Sequence, residues 1–341
     1  MNKKRVLAML LAGAMALSMT ACGGGNSAST DGSSNDGGAS ASGGSYKVSV
    51  ILKTLAAEYW QYVKSGAEDY ASEHSDKVTV EVKGPSSETA FDEMQNMIET
   101  DLSSGTYDGI VISPLQSDTA AQLVSGTKLP IVAIDTNFTA PEVKSFVGTG
   151  NEAAAKKGGE AAVEAAKAAG WTDIKCIEIA GVQGDETHEA RLRGYRDAIE
   201  AAGGQVLEVQ YTDTMPDKAA AAMEAVIQKY PNGVDAVLSI ADDMALAAAK
   251  VIKDSGNTNY ADTVLCGFDG NQSAIEAVMD GSLTIDIAQM GYDMGYKAVE
   301  AAVTVLEGGS VESFIDSGSK VIDSSNIDEY VSDMKSKGLW E

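Results

Sequence analysis

The chain has 341 residues, of which 50 are acidic and 25 are Lys or Arg, and its formal net charge is −25 at pH 7. Nucleic acids and anionic lipid surfaces need a basic footprint on their protein partner, so this acidic balance argues against both. Residues 46–341 have the periodic apolar patterns of a folded region. Because a single hydrophobic core stops growing at about 250–300 residues, we expect this region to form two lobes.

The N-terminus has the pattern of a bacterial secretory signal. A basic stretch over 3–5 precedes an apolar run over 6–17, which is too short to stay in a bilayer as a spanning helix. Small residues then lead to Cys22, which is followed by glycines. This arrangement resembles the lipobox, which implies removal of residues 1–21 and lipidation of Cys22. An ordinary secretory signal with an incidental cysteine is the alternative.

Residues 22–45 contain, after the cysteine, almost only Gly, Ser, Ala, Asn, Asp and Thr. Such a stretch buries too little apolar surface to offset its ordering entropy, so we expect a flexible linker. A coil of this kind spans about 25–30 Å on average. The prediction is therefore an extracytoplasmic protein that contacts the bacterial cell membrane through its lipid anchor only.

The remaining cysteines, Cys176 and Cys266, each lie in a short apolar run that is typical of a buried strand. Two inert buried thiols are the expected state, and a disulfide between them is the alternative. The histidines, His74 and His188, are not in ligand spacing with either cysteine. The sequence therefore predicts no metal site and no cofactor.

From Val48 onward, short β-branched runs alternate with longer segments of helical period. The alternation of continuous apolar strands with helices predicts an α/β fold with parallel sheets covered on both faces, and ligands of such sheets bind at the carboxyl ends of the strands. Strands are predicted over Val48–Leu52, Val78–Val82, Gly109–Ile112, Ile131–Ile134, Ser145–Val147, Ile174–Ile179, Gln205–Gln210, Ala236–Ile240 and Thr263–Phe268. Helices are predicted over Glu58–Glu73, Phe91–Leu102, Glu152–Ala169, Glu189–Ala202, Lys218–Lys229, Met244–Asp254, Gln272–Met279, Asp293–Leu306 and the final stretch Asn326–Lys337.

Polar side chains follow most of these strands. Lys53 follows the first strand, Asp135 follows the fourth and Asp269 follows the ninth. Helix capping is the alternative role for each aspartate, and it is the preferred one for Asp243, which precedes an alanine-rich helix. Capping does not account for Lys53, so we expect these side chains to form a site at the strand ends.

Several motifs occur together in one order after the linker. They lie over 53–60, 66–68, 108–114, 129–135, 189–195, 242–246, 267–270 and 287–289. The set resembles the type I periplasmic binding proteins for sugars, in particular the ribose- and allose-binding branch.

The resemblance implies two Rossmann-like lobes that are joined by a three-segment hinge and close on a ligand. The chain is expected to cross between the lobes near 149, near Gln289 and near 319. The N-terminal lobe would comprise 46–149 plus 290–318, and the C-terminal lobe 150–289 plus 319–341.

The resemblance also implies the ligand-binding residues. Tyr59 and Trp60 match an aromatic pair that sandwiches a sugar ring, with core packing as the alternative role for either. Asp135 and Asp269 match carboxylates that accept hydroxyl hydrogens, and such charge-assisted bonds are strong. The full set is Lys53, Tyr59, Trp60, Asp135, Thr136, Glu189, Arg191, Asp242, Asp269 and Gln289, with the register of Glu189 and Arg191 open by two residues.

Three positions depart from the family pattern. Ala57 and Ala241 stand where asparagines are usual, and Thr136 stands where ribose binders carry an arginine. A pocket that loses a hydrogen-bonding group discriminates strongly against the ligand that used it. We therefore expect a ligand that is bulkier than ribose, or a deoxy, modified or amino-bearing polyol.

The predicted function is that of an extracytoplasmic solute-binding lipoprotein of an ABC importer. It would act as a monomer, bind a monosaccharide or related polyol, and deliver it to permease and ATPase subunits. An enzyme is not expected, because the chain has no Gly-x-Ser-x-Gly elbow, no paired cysteine and histidine, and no phosphate-binding loop. The alternatives are a ligand-loaded sensor component for a chemoreceptor or histidine kinase, and a binder of a non-sugar polar solute.

Overall fold

The structure, a computed structural model, describes residues 45–340. The predicted signal peptide, Cys22 and all of the predicted linker before residue 45 lie outside the described residues. Within 45–340, no helix is both long enough and apolar enough to cross a bilayer.

The strands form two six-stranded sheets. In chain order they are β1 (Tyr46–Ile51), β2 (Val78–Lys83), β3 (Gly109–Ile112), β4 (Ile131–Ile134), β5 (Val143–Gly148), β6 (Lys175–Ala180), β7 (Gln205–Tyr211), β8 (Ala236–Ser239), β9 (Val264–Asp269), β10 (Ile285–Gln289), β11 (Phe314–Asp316) and β12 (Ser319–Ile322). The first sheet has the order β11-β5-β4-β3-β1-β2, and all its strand pairs are parallel. The second has the order β12-β10-β9-β8-β6-β7, and only β12 pairs antiparallel with its neighbour.

Helices cover the faces of both sheets. They are α1 (Glu58–Glu73), α2 (Phe91–Ser104), α3 (Ser117–Val124), α4 (Asn151–Ala168), α5 (Glu186–Ala201), α6 (Pro216–Lys229), α7 (Asp242–Ser255), α8 (Gln272–Asp280), α9 (Gly291–Leu306) and α10 (Ile327–Ser336). The N-terminal lobe is the first sheet with α1, α2, α3 and α9. The C-terminal lobe is the second sheet with α4 to α8 and α10.

The chain passes between the lobes three times, from β5 to α4, from β10 to α9 and from β11 to β12. The late return of α9 to the first sheet depends on a close helix crossing with α1. A Cβ on Gly66 would lie 1.9 Å from the Tyr292 carbonyl oxygen, and one on Gly295 would lie 1.9 Å from that of Val63. Only glycine permits this approach, which ties the two ends of the N-terminal lobe together.

The predicted α/β fold of two Rossmann-like lobes is confirmed. All predicted strands and helices occur; β3, β4 and α1 have the predicted bounds, and the others have shifted ends. Strands β10 to β12 and helix α3 are additional. The apolar run of β10 is interrupted by Asp286 at its second position, and β11 and β12 are short edge strands, so none has a strong sequence pattern. Cys176 and Cys266 are both free and buried, as expected.

Candidate ligand-binding cleft

A pocket lies between the lobes at the carboxyl ends of strands from both sheets. Most of its side chains are buried, and they include acids, bases, amides and aromatic rings. The N-terminal lobe contributes Lys53, Ala57, Tyr59, Trp60, Glu88 and Asp135, and the C-terminal lobe contributes Thr187, His188, Arg191, Thr214, Ala241, Asp243, Asp269, Asn271 and Gln289. Parallel strands direct their carboxyl ends to one edge of each sheet, which is why residues so far apart in sequence meet here.

The first turn of α1 provides an aromatic corner. The rings of Tyr59 and Trp60 meet edge to face, with centroids 5.0 Å apart and an interplanar angle of 69°. The two rings therefore form a corner and not two parallel faces, and the sandwich of a sugar ring by this pair stays a prediction. Trp60 Nε1 donates to Glu88 Oε1 at 3.1 Å, so the ring's polar edge is already partnered.

Asp135 occupies the turn after β4, with a left-handed φ of 60°. Its Oδ1 accepts from the Tyr59 hydroxyl at 3.2 Å, and its Oδ2 accepts from the Thr136 hydroxyl at 2.9 Å. Thr136 does not line the pocket. Its short side chain lies behind Asp135 and is 2.8 Å from the Thr187 hydroxyl of the other lobe. The sequence prediction that Thr136 faces the ligand is therefore corrected to a supporting position.

Arg191 is the most connected side chain of the opposite wall. Its guanidinium donates to Asn151 Oδ1 and to the Ile240 carbonyl at 2.8 Å each, and to Asp269 Oδ1 at 3.3 Å. It also stacks over the Phe268 ring at 3.9 Å. The planar, delocalised cation suits this combination of fork-shaped donation and ring contact.

Asp269 stands at the end of β9 with a φ of 137°, an uncommon conformation for a residue with a side chain. Its Oδ1 accepts from Gln289 Nε2 at 2.7 Å as well as from Arg191. Burial raises the pKa of Asp269 well above its ordinary range, although Arg191 and Gln289 act in the opposite direction.

Three pocket atoms are buried acceptors without a hydrogen-bond partner among residues 45–340. They are Gln289 Oε1, Asn271 Oδ1 and Thr214 Oγ1. A buried polar atom left unpaired costs about 1–3 kcal/mol. Hydroxyl hydrogens of a bound polyol would satisfy all three.

His188 supplies a complementary donor. Its Nδ1 accepts the Val182 N–H at 3.0 Å, so in the neutral ring the proton is assigned to Nε2. Burial lowers the pKa of His188, with Lys53 and Arg191 acting in the same direction and Asp185 opposing them. A neutral histidine in this tautomer offers one N–H to the pocket. Sequence reasoning did not select His188 as a site residue.

Lys53 spans the cleft. Its Nζ lies 2.6 Å from Asp185 Oδ2, and both side chains are almost completely buried. Asp185 is the N-cap of α5, where its other oxygen accepts the N–H groups of Thr187 and His188 at 2.9 and 3.1 Å. Burial would raise the pKa of Asp185, but the Lys53 ammonium and His188 hold it well below its ordinary range.

Asp185 is not among the predicted site residues, because the apolar period places the start of this helix at Glu189. The helix begins at Glu186, and an aspartate immediately before it is a recognisable N-cap signal. The earlier start also decides the register that was left open: Arg191 points into the pocket.

Glu189 does not line the pocket, which corrects its predicted role. It lies two residues, or about 200° of helix rotation, from Arg191 on α5. Its carboxylate accepts from the Gly184 N–H at 3.1 Å and from the Tyr211 hydroxyl at 3.0 Å, on the outer side of the helix.

Asp242 also lies outside the pocket. It is completely buried beneath the pocket wall, and its Oδ2 accepts the Asn271 N–H at 2.8 Å. The helix starts at Asp242 with Ala241 as N-cap, so the prediction that Asp243 caps it is wrong. Asp243 instead lines the pocket, and burial raises its pKa, with Glu58 and Glu88 adding to the effect.

A second set of contacts joins the lobes at the start of α8. Glu58 Oε1 accepts the Gln272 N–H at 2.6 Å, and Glu58 Oε2 accepts from the Ser273 hydroxyl at 2.8 Å. Tyr62 donates to Glu58 at 2.6 Å and accepts from the same Gln272 N–H at 2.9 Å. The N-terminus of a helix in one lobe is thus capped by a carboxylate of the other, a contact that requires closed lobes.

A larger groove of about 700 Å³ lies on the outer face of the C-terminal lobe, beside α7 and α8. It contains none of the predicted site residues. Among the side chains described for this groove there is no buried polar atom without a partner. The cleft between the lobes is therefore the candidate site. Within residues 45–340, no cluster of three or more His, Cys, Asp or Glu side chains is arranged to hold a metal ion.

The chain is similar to proteins that are named for binding sugars. The ribose import binding protein RbsB of Escherichia coli (strain K12) is 29% identical over 269 residues, which cover 78% of this chain and 86% of the relative. The D-allose-binding periplasmic protein of the same organism is 29% identical over 273 residues, with 77% and 85% covered. These relatives are binding proteins, in agreement with the expectation that the chain is not an enzyme.

A solved ABC transporter solute-binding protein from Agrobacterium vitis, with bound D-fucose, superposes with a TM-score of 0.75. It is 27% identical, and the match covers 83% of this chain and 97% of that one. Residues 48–310 match the family model of the periplasmic binding protein domain, which confirms the resemblance seen in the motifs. Because that match covers most of the chain, the protein belongs to the periplasmic binding protein domain family.

Proposed function

We propose that the protein is the extracytoplasmic solute-binding component of an ABC importer and that it binds a monosaccharide or related polyol between its lobes. The observation that carries the proposal is the set of buried, unpartnered acceptors Thr214 Oγ1, Asn271 Oδ1 and Gln289 Oε1. They surround a pocket that also holds the carboxylates of Asp135 and Asp269. Such a surface is suited to a compact ligand with many hydroxyl groups.

The two walls suit different parts of a sugar. The aromatic corner of Tyr59 and Trp60 offers ring surface to apolar C–H groups. The carboxylates accept hydroxyl hydrogens, and Arg191 and His188 donate to ring or hydroxyl oxygens. A ligand that touches Asp135 and Asp269 at once contacts both lobes and therefore favours their closed arrangement.

The departures noted in the sequence bear on which sugar is bound. Ala57 and Ala241 line the pocket, so both replacements by alanine widen it and remove potential donors. This supports a hexose, a deoxy sugar or an amino-bearing polyol in preference to ribose. The D-fucose bound by the Agrobacterium vitis protein is a deoxyhexose of the kind that such a pocket would accept.

We place the protein on the outer side of the bacterial cell membrane as a monomer, held by a lipid on Cys22 and linked to the folded lobes by residues 23–45. The lipobox-like pattern before Cys22 supports the anchor. Metabolic labelling with a fatty acid tests it: label should enter the wild-type chain and not a Cys22→Ser variant. Equal labelling of both would contradict lipidation at this cysteine.

The ligand is tested by thermal shift and calorimetric titration of a fragment that begins at residue 44, since residues 44–341 form a compact unit by themselves. The panel comprises D-ribose, D-allose, D-fucose, D-glucose, D-glucosamine and sugar alcohols. Ligand at 100 times its Kd stabilises the folded state by about 2.7 kcal/mol, which is a clear shift in Tm. An Asp269→Asn variant should lose the shift, whereas Asp217→Asn, an exposed change on α6, should keep it. No shift with any member of the panel would contradict the proposal.

A further inference from the structure

Two buried carboxyl groups converge beneath the pocket. Asp242 is the first residue of α7 and Asp286 is the second residue of β10, and both are completely buried. Gly267 of β9 lies against both. A Cβ at this glycine would be 2.5 Å from Asp242 Oδ1 and 2.6 Å from Asp286 Oδ2, so the two carboxyls meet in the space that the missing side chain leaves.

These carboxyls are not stabilised as a pair of anions. Within residues 45–340, Asp242 Oδ1 and both oxygens of Asp286 lack a well-aligned hydrogen-bond donor, although the backbone N–H of Gly270 approaches Asp286. The titratable groups that face them from the packed elements are carboxyls, a thiol and phenols, none of which carries a positive charge. The nearby cation, Arg191, forms an ion pair with Asp269. Those groups are Asp269 and Cys266 of β9, Tyr195 of α5, Tyr330 of α10, Tyr62 of α1 and Asp243 of α7.

Buried like charges without partners are strongly disfavoured. A single proton resolves the problem, because a protonated carboxyl donates to its neighbour while the neighbour keeps the negative charge. Two carboxyls that share one proton in this way titrate as a unit.

The pair supports the turn that faces the pocket. Asp242 Oδ2 accepts the Asn271 N–H at 2.8 Å, and the Tyr330 hydroxyl donates to the Gly270 carbonyl at 2.7 Å. The backbone immediately before these two anchored groups has φ values of 137° at Asp269 and 80° at Gly270. A turn with this conformation persists only where its surroundings hold it. It presents Asp269 and Asn271 to the pocket.

We propose that Asp242 and Asp286 share one proton, and that the proton-sharing pair positions the 269–271 turn for ligand binding. The two aspartates are positioning residues, since neither lines the pocket. The statement about ligand binding rests on the proposed function, whereas the shared proton and the support of the turn do not.

The direction of the pH effect follows from burial. Burial raises the pKa of Asp286 to about 6 and that of Asp242 well above its ordinary value of 3.8. Both folded values exceed the unfolded ones, so the contribution to stability is fully present below about pH 4 and is lost as pH rises through the folded values. The pair as a whole therefore keeps a proton to a higher pH than the unfolded chain does.

The first experiment measures unfolding by denaturant at pH 6, 7 and 8 for the ligand-free protein, the Asp242→Asn variant and the Asp217→Asn control. The amide of Asp242→Asn donates to Asp286 and accepts from Asn271 without needing a proton. The folding constant of the wild type, divided by that of Asp242→Asn, should fall as pH rises, by up to about tenfold per pH unit while the folded pair keeps its proton. The same ratio taken against Asp217→Asn should stay constant. Parallel pH profiles for wild type and Asp242→Asn would overturn the shared proton.

The second experiment tests positioning by hydrogen exchange at the Asn271 amide and by titration with D-allose. Asp242→Ala should expose the Asn271 amide to exchange and weaken D-allose binding at least tenfold, while Asp242→Asn preserves both. Unchanged protection of Asn271 in Asp242→Ala would overturn the positioning role. If the wild type binds neither D-allose nor any other sugar of the panel, the proposed function fails, and the exchange and pH measurements still decide this proposal.

Discussion

The two walls of the cleft differ in how completely their polar groups are satisfied. In the N-terminal lobe, Asp135 is held by Tyr59 and Thr136, and the Trp60 indole is held by Glu88. In the C-terminal lobe, the acceptors of Thr214, Asn271 and Gln289 have no partner among the residues described. The N-terminal wall is therefore complete before a ligand arrives, while the C-terminal wall is completed by the ligand.

The cross-lobe contacts show the same asymmetry. Lys53 and Glu58 extend from the N-terminal lobe to the N-terminal ends of α5 and α8. Helix N-termini present unpaired N–H groups and a partial positive charge, so a carboxylate there is favourable. Glu58 supplies it directly, whereas Lys53 neutralises the carboxylate of Asp185 that caps α5. Closure of the lobes thus gives partners to the N–H groups of α8 and to the Asp185 carboxylate, which belong to the C-terminal lobe. Discrimination between ligands should depend mainly on that lobe.

Removing Arg191, the central cation of the C-terminal wall, should have the largest effect on protein stability and on ligand binding. Arg191→Ala removes the cation that faces Asp269, which keeps only Gln289 as a donor, and leaves Asn151 Oδ1 without the guanidinium in a buried site. Breaking a buried pair in this way costs about 3–5 kcal/mol, and ligand binding should be lost with it. Arg193→Ala is the matched control, because Arg193 lies on the exposed side of the same helix and pairs at the surface with Glu152 and Glu186, where about 0–1 kcal/mol is at stake. Denaturant unfolding measures the stability of both variants. Similar losses of stability would contradict the contrast between the buried and the exposed arginine.

Buried acids in the two lobes should respond oppositely to neutralisation. In the C-terminal lobe, burial raises the pKa of Glu178 to about 7, although Arg196 opposes the effect. That value lies above the unfolded one of 4.5, so the stability that Glu178 contributes is lost as pH rises through about 7, by on the order of 3 kcal/mol. Glu178→Gln should flatten the pH dependence of stability between about 4.5 and 7.

Asp101 is the matched acid of the N-terminal lobe, since it is buried and accepts from Ser49 and Lys83 at 2.5 and 2.7 Å. Asp101→Asn should destabilise the protein at pH 7 by about 1–3 kcal/mol, because a charge-assisted partner is removed from Lys83. Unfolding at a series of pH values compares the two variants. The same sign of change for both at pH 7 to 8 would contradict the contrast between the lobes.

Loss of Lys53, which spans the cleft, should destabilise the closed arrangement of the lobes. Lys53→Met leaves the Asp185 carboxylate buried without its ammonium, and opening of the cleft returns that carboxylate to water. The closed form should lose about 1–3 kcal/mol, and the radius of gyration from small-angle scattering should increase. Lys64→Met, which removes a half-exposed pair with Glu68 on α1, serves as control. A Lys53→Met protein as compact as the control would contradict the role of this pair in closure.

The cap that crosses between lobes should have the smallest effect. Glu58→Ala removes the carboxylate that accepts from Gln272 and Ser273 at the start of α8. Loss of a helix cap costs about 1 kcal/mol, so ligand affinity should fall about fivefold with little change in the stability of either lobe. Calorimetric titration measures the ligand affinity of Glu58→Ala and of the exposed control Glu68→Ala. An unchanged affinity would show that closure does not depend on this cap.

The sequence by itself determined the strands, most helices and the first members of the site. Apolar runs specify β1 to β9 because the central strands are buried on both faces, and parallel strands bring Lys53, Asp135 and Asp269 to a common edge. Family motifs added Arg191 and Gln289. These residues were accessible to sequence reasoning because their positions follow from local pattern and strand direction.

Only the tertiary structure decided the rest. Asp185 and His188 are site residues because α5 starts three residues earlier than its apolar period indicates, and Glu189 is excluded because that start turns it outward. Asp242 and Asp286 belong to different elements and meet only in front of Gly267. Such contacts arise from the packing of separate elements, and no local pattern in the chain records which buried side chains will face each other.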